Sequence, residues 1–402
     1  MKIYFESYGC TLNKSESGLY VNKLLQEGGV LVKSPEEADL SVIGTCVVIR
    51  HTENRMLNRI QELSSKSKVR VMGCLPPVSA GTLDNENIET LKPLEIRSFY
   101  SGTLDGVEIV EPSIFDGIPI NQGCTGSCNF CISRVARGKL LSRKPEKIID
   151  QVKMQISRGI GEVRISSLDT AAYGKDIGVR LPSLVDGICS LTGKFRLRVG
   201  MMEPKNTQEI LPELLDSYSS KRVFKFLHLP VQSGDNRILN SMNREYESET
   251  YFEIVDHFRR RYPDSTLSTD IISGYPGDDE ESFENTFKLI ERTEPEIINI
   301  TRFSPRPYTR DFEKKTPESN LVKRWTSEYT KLHRELTNAR FDSLIGRIEN
   351  VFTTERVKEG TTLARDSAYR PVVLPLYLPL FSEFEVEIVE HSDNYLVGKL
   401  IN

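Results

Sequence analysis

The chain has 402 residues, of which 27% are charged and 38% hydrophobic, and its net charge is −4 at pH 7. These values are ordinary for a globular protein of two or three domains, and they exclude a uniformly basic nucleic-acid-binding surface. The sequence has no run of eighteen apolar residues, and its start, MKIYFESYGC, is unlike a secretory signal. We therefore expect a cytoplasmic protein without membrane contact, in which cysteines favour metal binding over disulfides.

The first predicted segment, residues 1–112, alternates short strands with helices. Three apolar runs of strand length, KIYFESYG, ADLSVIGT and VRVMG, each end at a cysteine, namely Cys10, Cys46 and Cys74. In a parallel α/β sheet the carboxyl ends of the strands share one edge, where ligands bind. The pattern therefore predicts that these three thiols meet and hold an iron–sulfur cluster. The alternative is that they are buried small hydrophobic residues.

A second group of cysteines, Cys124, Cys128 and Cys131, lies in INQGCTGSCNFCISRVARG. With seven cysteines in 402 residues, this C-x3-C-x2-C spacing arises by chance in roughly one chain in five hundred. The spacing resembles the signature of radical S-adenosylmethionine (SAM) enzymes. Three thiolates hold three irons of a four-iron cluster and leave the fourth iron open to a ligand. The alternative, a zinc knuckle, lacks a nearby histidine as fourth ligand.

Residues 113–320 repeat a strand followed by a helix, which predicts a partial or complete barrel of parallel strands with its chemistry at the carboxyl ends. The cysteine loop at residues 124–131 follows the first strand, where such a fold places its active site. Six strands are predicted: IPIN (118–121), EVRIS (162–166), FRLRVG (195–200), FKFLHL (224–229), LSTDII (267–272) and IINITR (297–302).

Polar residues follow several of these strands and are candidates to bind SAM, which would chelate the open iron through its amino and carboxylate groups. We predict that Ser167 and Asp169 accept hydrogen bonds from the ammonium and that Arg198 binds the carboxylate. Glu203 and Gln232 are expected to bond to the ribose. No catalytic residue beyond the cluster ligands is predicted.

The remaining residues predict a connecting helix and a small all-β barrel. At residues 321–340, six apolar residues recur at spacings of three and four, which predicts a helix with one buried face: Leu321, Trp325, Tyr329, Leu332, Leu336 and Ala339. Residues 341–402 then switch to short strands of the size class that often binds RNA, although this segment is acidic. Tyr369 and Tyr377 are expected to pack in its core.

Two basic runs, residues 134–147 and 302–324, border predicted strand ends. The first contains six Lys or Arg and one Glu, and the second contains seven basic and three acidic residues. Together they favour an anionic, phosphate-rich substrate over a solvated surface without a partner.

The whole chain resembles the methylthiotransferases, which are radical SAM enzymes. The resemblance rests on YGCTLNKSES, GTCVVIRHTENRM, MGCLP, INQGCTGSCNFCISRVARG, SSLDTAAYGKDIG, HLPVQSGDNRILNSMNR, TDIISGYPGDDEESFENT and NITRFSPRPYTR. It implies an α/β multidomain protein: an N-terminal parallel α/β domain, a radical SAM (β/α) partial TIM barrel and a small C-terminal all-β TRAM barrel. SSLDTAAYGKDIG and FSPRPYTR are most similar to the archaeal and eukaryotic branch, which acts on N6-threonylcarbamoyladenosine next to the tRNA anticodon.

The resemblance also implies the cofactors and the partners. Two [4Fe-4S] clusters are expected, one on Cys124, Cys128 and Cys131 that cleaves SAM, and an auxiliary one on the other three cysteines that carries the transferred sulfur. One SAM would methylate this sulfur, and a second would give the radical that takes hydrogen from adenine C2. The implied partners are the tRNA anticodon stem-loop and a low-potential electron donor such as ferredoxin or flavodoxin.

Two departures and three alternatives accompany this interpretation. Gly44 stands where family members commonly have Asn, which affects a contact around the auxiliary cluster rather than ligation. The acidic charge of residues 341–402 shifts tRNA binding toward the barrel. The alternatives are methylthiolation of isopentenyl-adenosine in tRNA, methylthiolation of a ribosomal-protein aspartate, and an RNA-binding iron–sulfur sensor without turnover.

Overall fold

The computed structural model describes residues 1–93, 95, 111 and 117–401. The predicted boundary at residues 112–113 lies outside these residues. The chain divides into two compact units. The first comprises Met1–Met154, Arg164–Val179 and Ser304–Lys314, and the second comprises Gln155–Val163, Arg180–Phe303 and Lys315–Asn402. Within the described part of the chain, no helix is long and apolar enough to cross a membrane.

The first unit begins with a five-stranded parallel sheet in the order β2-β1-β3-β4-β5. Its strands are β1 (Lys2–Ser7), β2 (Val30–Leu31), β3 (Leu40–Thr45), β4 (Lys68–Gly73) and β5 (Ile88–Leu91). The helices are α1 (Thr11–Gln26) and α2 (Arg50–Ser64), with 3-10 turns at Pro35–Glu37 and Ala80–Thr82. This is the predicted alternation of strands and helices, and each predicted strand is present.

The sheet is covered on both faces, which explains why β3 is buried at every position. Ile43 of β3 contributes to one core with α2, whereas Val42 contributes to the other with α1. Successive residues of a strand point to opposite faces, so one apolar run serves both cores. The first core also includes Ile132 and Ala136, which lie on the helix that follows Cys131.

The six predicted barrel strands are present, with one correction. They are β6 (Ile118–Pro119), β9 (Glu162–Ser166), β10 (Arg196–Arg198), β11 (Phe226–His228), β12 (Thr266–Ser273) and β13 (Ile297–Arg302). The run IPIN does not form one strand. Because the Ile120 carbonyl accepts from Arg143 N (2.9 Å), the chain changes partners there, and β7 (Asn121–Gln122) pairs antiparallel with β8 (Leu141–Ser142).

The barrel strands form two sheets, β10-β9-β6, in which β6 and β9 pair parallel, and the parallel sheet β11-β12-β13. A parallel bridge joins Leu197 to Val223. Helices between the strands give the predicted repeat. They are α3 (Ile132–Arg137), α4 (Pro145–Ser157), α5 (Leu181–Cys189), α6 (Pro204–Gln208), α7 (Leu211–Ser217), α8 (Asn236–Ser241), α9 (Ser248–Arg261) and α10 (Glu280–Thr293).

The long helix predicted at residues 321–340 is α11 (Ser319–Asp342). Trp325, Tyr329 and Leu332 are buried as predicted, but Leu321 and Ala339 are exposed, and Val322 is buried in place of Leu321. The buried face therefore starts one residue later than the apolar spacing indicated.

The chain ends in a closed five-stranded barrel in the order β14-β15-β16-β18-β17, which confirms the prediction of a small all-β module. Its strands are β14 (Ile348–Glu355), β15 (Thr362–Arg365), β16 (Pro371–Leu374), β17 (Glu383–His391) and β18 (Leu396–Leu400). Tyr369 is half-buried against Phe224 and Phe226, which lie outside this module, and Tyr377 is exposed with Arg356 over its ring. The prediction that both tyrosines pack in the core of the module was therefore wrong.

Candidate metal centre

Cys10, Cys46 and Cys74 follow β1, β3 and β4 at the carboxyl edge of the first sheet. In a parallel sheet of order 2-1-3-4-5, the strand order reverses between β1 and β3, and loops at this point separate to form a crevice. The three loops are in contact: Cys74 N donates to Thr45 O (3.1 Å), and Tyr8 N donates to Gly44 O (2.8 Å). The fold thus brings this cysteine set to one edge, as its placement at strand ends predicted.

The thiols of this set influence one another electrostatically. Burial raises the pKa of Cys46 to about 11, and the neighbouring thiols of Cys74 and Cys10 add to this effect, while the Val48 N–H opposes it. Such a thiol is protonated at neutral pH and would have to lose its proton in order to bind a metal.

A buried ion pair supports the set from within the same unit. The Arg137 side chain is 0% exposed and that of Glu16 2% exposed, and Arg137 Nη1 lies 2.8 Å from Glu16 Oε2. Arg137 Nε donates to Cys74 Sγ (3.2 Å), and Nη2 donates to Asn13 Oδ1 (2.6 Å). Arg137 therefore presents a positive charge and an N–H directly to one sulfur of the set.

The loop that carries Cys124, Cys128 and Cys131 is closed by direct backbone contact. Gly123 has φ 74°, and a Cβ atom there would lie 2.1 Å from Lys139 O, so only glycine fits. Cys124 N donates to Gly138 O (3.3 Å) across the closure. The loop thus starts and ends at one point.

Inside this loop, the sulfurs of Cys124 and Cys128 flank Gly126: a Cβ atom built there would lie 3.5 Å from the first and 3.8 Å from the second. Cys131 is the N-cap residue of α3, and its N–H donates to Cys128 O (3.2 Å). Arg134 of the same helix donates from Nε to Gly126 O (3.1 Å). Helix α3 therefore holds the cysteine loop from its far end.

Asp169 lies beside this second set. Burial raises the pKa of Cys124 to about 12, and the Asp169 carboxylate adds to this effect. Asp169 is 1% exposed, and its Oδ1 accepts from Ala171 N (3.1 Å). Ser167 Oγ accepts from Asp169 N (2.9 Å). The two residues predicted to bind the SAM ammonium thus form one buried turn next to Cys124.

The donors consist of thiols in two sets of three, and thiolates are the usual protein ligands of iron–sulfur clusters. Among the residues that the structure describes, no three His, Cys, Asp or Glu side chains are grouped as ligands of one ion. An N–H donated to a cysteine sulfur, as from Arg137 to Cys74, is typical of the surroundings of an iron–sulfur cluster.

Arg198, Glu203 and Gln232 lie in the second unit. The Arg198 guanidinium lies over Phe226 (4.8 Å) and over Tyr369 (5.3 Å). Glu203 caps α6 by accepting from Asn206 N (3.0 Å).

Gln232 has φ 73° where it bridges to Ile271 of β12. A left-handed glutamine at a strand end is the kind of outlier that occurs at functional sites. Binding of SAM by Arg198, Glu203 and Gln232 remains a prediction.

The structure adds residues that sequence reasoning missed. Glu16 and Asn13 carried no recognisable pattern, and Arg137 was counted in a basic surface run. Arg137 is buried, and so are Arg143 (2% exposed) and Arg306 (3% exposed), so the two basic runs present less surface charge than predicted.

A polar row across the second unit was also missed. Asp270 of β12 accepts from Asn299 Nδ2 of β13 (2.7 Å) and lies 3.7 Å from His228 Nε2 of β11. Polar residues at alternate positions of neighbouring strands could have indicated this row.

Gly44 is explained by its neighbours. A Cβ atom there would lie 2.6 Å from Ser7 Oγ and 2.7 Å from Ser17 Oγ, and these hydroxyls hydrogen-bond to each other (2.9 Å). The two serines occupy the space that an asparagine side chain would need.

Comparison with known proteins finds a family match for each of two segments of the chain. Residues 118–290 match the radical SAM superfamily, and residues 2–91 match the uncharacterized protein family UPF0004. A solved structure of the radical S-adenosylmethionine methyltransferase TsrM from Kitasatospora setae is similar in fold, with a TM-score of 0.56, 12% identity and 77% of each chain covered.

Sequence relatives are similar over the full length. A probable threonylcarbamoyladenosine tRNA methylthiotransferase of Pyrococcus horikoshii is 36% identical over all of both chains. The threonylcarbamoyladenosine tRNA methylthiotransferase of Xenopus laevis is 29% identical over 99% of this chain and 77% of its own length. The chain therefore belongs to the threonylcarbamoyladenosine tRNA methylthiotransferase family of radical SAM proteins.

Proposed function

We propose that this protein transfers a methylthio group to C2 of N6-threonylcarbamoyladenosine in tRNA, next to the anticodon. The observation that carries this proposal is the presence of two separate cysteine sets in a chain that matches such enzymes over its full length. Cys124, Cys128 and Cys131 would hold one [4Fe-4S] cluster with SAM, and Cys10, Cys46 and Cys74 the auxiliary cluster. When bound, these groups supply one-electron reduction of SAM and the sulfur that is transferred.

The reaction explains why such cofactors are needed. An aromatic C2–H is too weak an acid for any side-chain base, so general acid–base catalysis cannot open this position. The residues of the chain therefore bind and orient the substrate and the cofactors, and they exclude water. Asp169 and Ser167, buried beside Cys124, are suited to orient the SAM ammonium. Arg137, donating to Cys74 Sγ, is suited to fix that ligand.

Several further assignments belong to this proposal. Residues 1–112 would form the auxiliary-cluster domain, 113–320 the radical SAM core, 321–340 a connecting helix and 341–402 a TRAM domain. We place Arg198, Glu203 and Gln232 among the SAM-binding residues. We also propose a cytoplasmic location, the anticodon stem-loop as the bound part of tRNA, and ferredoxin or flavodoxin as electron donor.

The substrate assignment predicts a selective reaction in vitro. The protein, reconstituted anaerobically with iron and sulfide, should convert an anticodon stem-loop containing N6-threonylcarbamoyladenosine when given SAM and dithionite. Mass spectrometry of the digested nucleosides should detect the 2-methylthio product together with 5′-deoxyadenosine. A stem-loop containing isopentenyl-adenosine and a peptide from the ribosomal-protein substrate serve as matched alternatives.

Each other outcome has a definite meaning. If either alternative substrate were modified faster, that substrate would replace N6-threonylcarbamoyladenosine in the assignment. Two reconstituted clusters without any 5′-deoxyadenosine would favour a non-catalytic sensor.

A further inference from the structure

The loop Ser304–Lys314, which follows β13, belongs to the first unit. Arg306 is 3% exposed and forms an ion pair with Glu53 of α2, the helix that follows Cys46. Arg310 Nη1 donates to Asn129 Oδ1 (3.3 Å), and Asn129 lies between Cys128 and Cys131. This loop is therefore attached next to both cysteine sets.

Tyr308 stands at the tip of this loop with φ 68° and a residue exposure of 72%. The left-handed conformation costs free energy for any residue with a Cβ atom, and glycine avoids this cost. The tip is nevertheless fixed, because both Thr309 N (3.3 Å) and Thr309 Oγ1 (2.6 Å) donate to Arg306 O. The loop thus holds an aromatic ring in solvent in an unfavourable backbone conformation.

Two other aromatic residues with positive φ provide a comparison. Tyr369 (φ 70°) packs its ring 4.9 Å from Phe224 and donates its hydroxyl to Glu162 (2.6 Å). Phe381 (φ 56°) packs 6.3 Å from Phe352. Packing offsets the backbone cost at both positions. At the loop tyrosine the ring is mostly solvent-exposed, so packing within the described residues does not explain why an aromatic side chain stands there.

The surroundings of Tyr308 suit a nucleic acid. Arg50, whose N–H donates to Ser304 Oγ (3.4 Å), and Arg310 are both exposed and form no ion pair within the described part of the chain. Glu313 is an exposed acidic residue of the loop. An exposed aromatic ring on a loop that also carries or contacts exposed arginines can stack an unpaired base while the arginines bind the adjoining phosphates.

We propose that Tyr308 stacks on an unpaired base of the tRNA anticodon loop, with Arg50 and Arg310 on adjacent phosphates. This inference rests on the proposed function and adds to it the residue that positions the RNA. A backbone conformation that glycine would adopt without cost is retained at Tyr308 because the ring contacts the substrate.

Substitutions at Tyr308 in the full-length protein test this inference. The probe is a fluorescent anticodon stem-loop containing N6-threonylcarbamoyladenosine, and its Kd is measured by anisotropy. We expect Y308A and Y308G to weaken binding about 10- to 100-fold, and Y308F to stay within about 2-fold of wild type, since stacking uses the ring face. Y308G should also raise the melting temperature by about 2 °C by removing the backbone strain.

Two controls complete the experiment. V30A truncates another exposed side chain, one on β2 without an assigned binding role, and should leave the Kd unchanged. R310Q should reduce the slope of log Kd against log salt concentration by about one, as expected for the loss of one phosphate contact.

The inference is overturned if wild type binds the stem-loop and Y308A and Y308G bind it equally well. It is also overturned if Y308F loses as much affinity as Y308A, because the hydroxyl would then be the contact. Failure of wild type itself to bind this RNA would instead count against the proposed function.

Discussion

Replacing Arg137 by methionine is expected to lower the free energy of unfolding of the first unit by about 3–5 kcal/mol, because Glu16 then stays charged and buried without Arg137 as its partner. Arg137 also donates hydrogen bonds to Asn13 and Cys74, so the loss of stability falls on the sheet edge that carries Cys10, Cys46 and Cys74. In hydrogen-exchange mass spectrometry, the backbone amides of peptides from β1, β3 and β4 should exchange about 100-fold faster or more in R137M than in wild type.

Two matched variants separate the causes of this effect. The double variant R137M/E16M removes both charges and should recover most of the lost protection, as buried ion pairs replaced by apolar residues often do. K144M changes an exposed lysine seven residues away and should have an effect within about 0.5 kcal/mol. This account of the ion pair would be contradicted if the amides of R137M exchanged at the wild-type rate, or if the double variant did not recover the lost protection.

Removing either cysteine set as a whole is expected to remove one cluster and to affect the chemistry differently. After anaerobic reconstitution, wild type should contain about eight irons per chain, and the variants C10S/C46S/C74S and C124S/C128S/C131S about four each. The first variant should retain reductive cleavage of SAM, since Cys124 and its partners are intact, but should give no methylthio product. The second should lose both activities.

Cys189 provides the matched control for these variants. It lies at the end of α5, outside both sets, so C189S should keep about eight irons and both activities. Iron analysis with mass spectrometry of 5′-deoxyadenosine and of the nucleoside products measures all these outcomes. The assignment fails if either triple variant keeps the full iron content, or if C189S loses a cluster.

Much of the fold followed from local patterns. Apolar runs of strand length ended at Cys10, Cys46 and Cys74, and topology alone then required one shared edge. The order 2-1-3-4-5 was not visible in the sequence, because strand order depends on pairing between distant segments. The helix at residues 321–340 was found by its periodicity, but its buried face was misplaced by one residue at Leu321 because spacing does not fix where the neighbouring element lies.

The two cysteine sets were visible in the sequence, whereas the residues that surround them were not. The spacing of Cys124, Cys128 and Cys131 is itself the signal. Arg137 and Glu16 are 121 residues apart, and no local pattern distinguishes a buried arginine from a surface one. The conformation of Tyr308 was equally hidden, since a positive φ at a residue other than glycine, asparagine or aspartate follows from the loop around it.

The most direct test of the central claim is nucleoside mass spectrometry of tRNA from cells that lack this protein, compared with the same cells supplied with the wild-type gene. We predict that 2-methylthio-N6-threonylcarbamoyladenosine disappears while unmethylthiolated N6-threonylcarbamoyladenosine accumulates, and that wild type restores the modified nucleoside but C124S does not. Full methylthio content in the deleted cells would contradict the account.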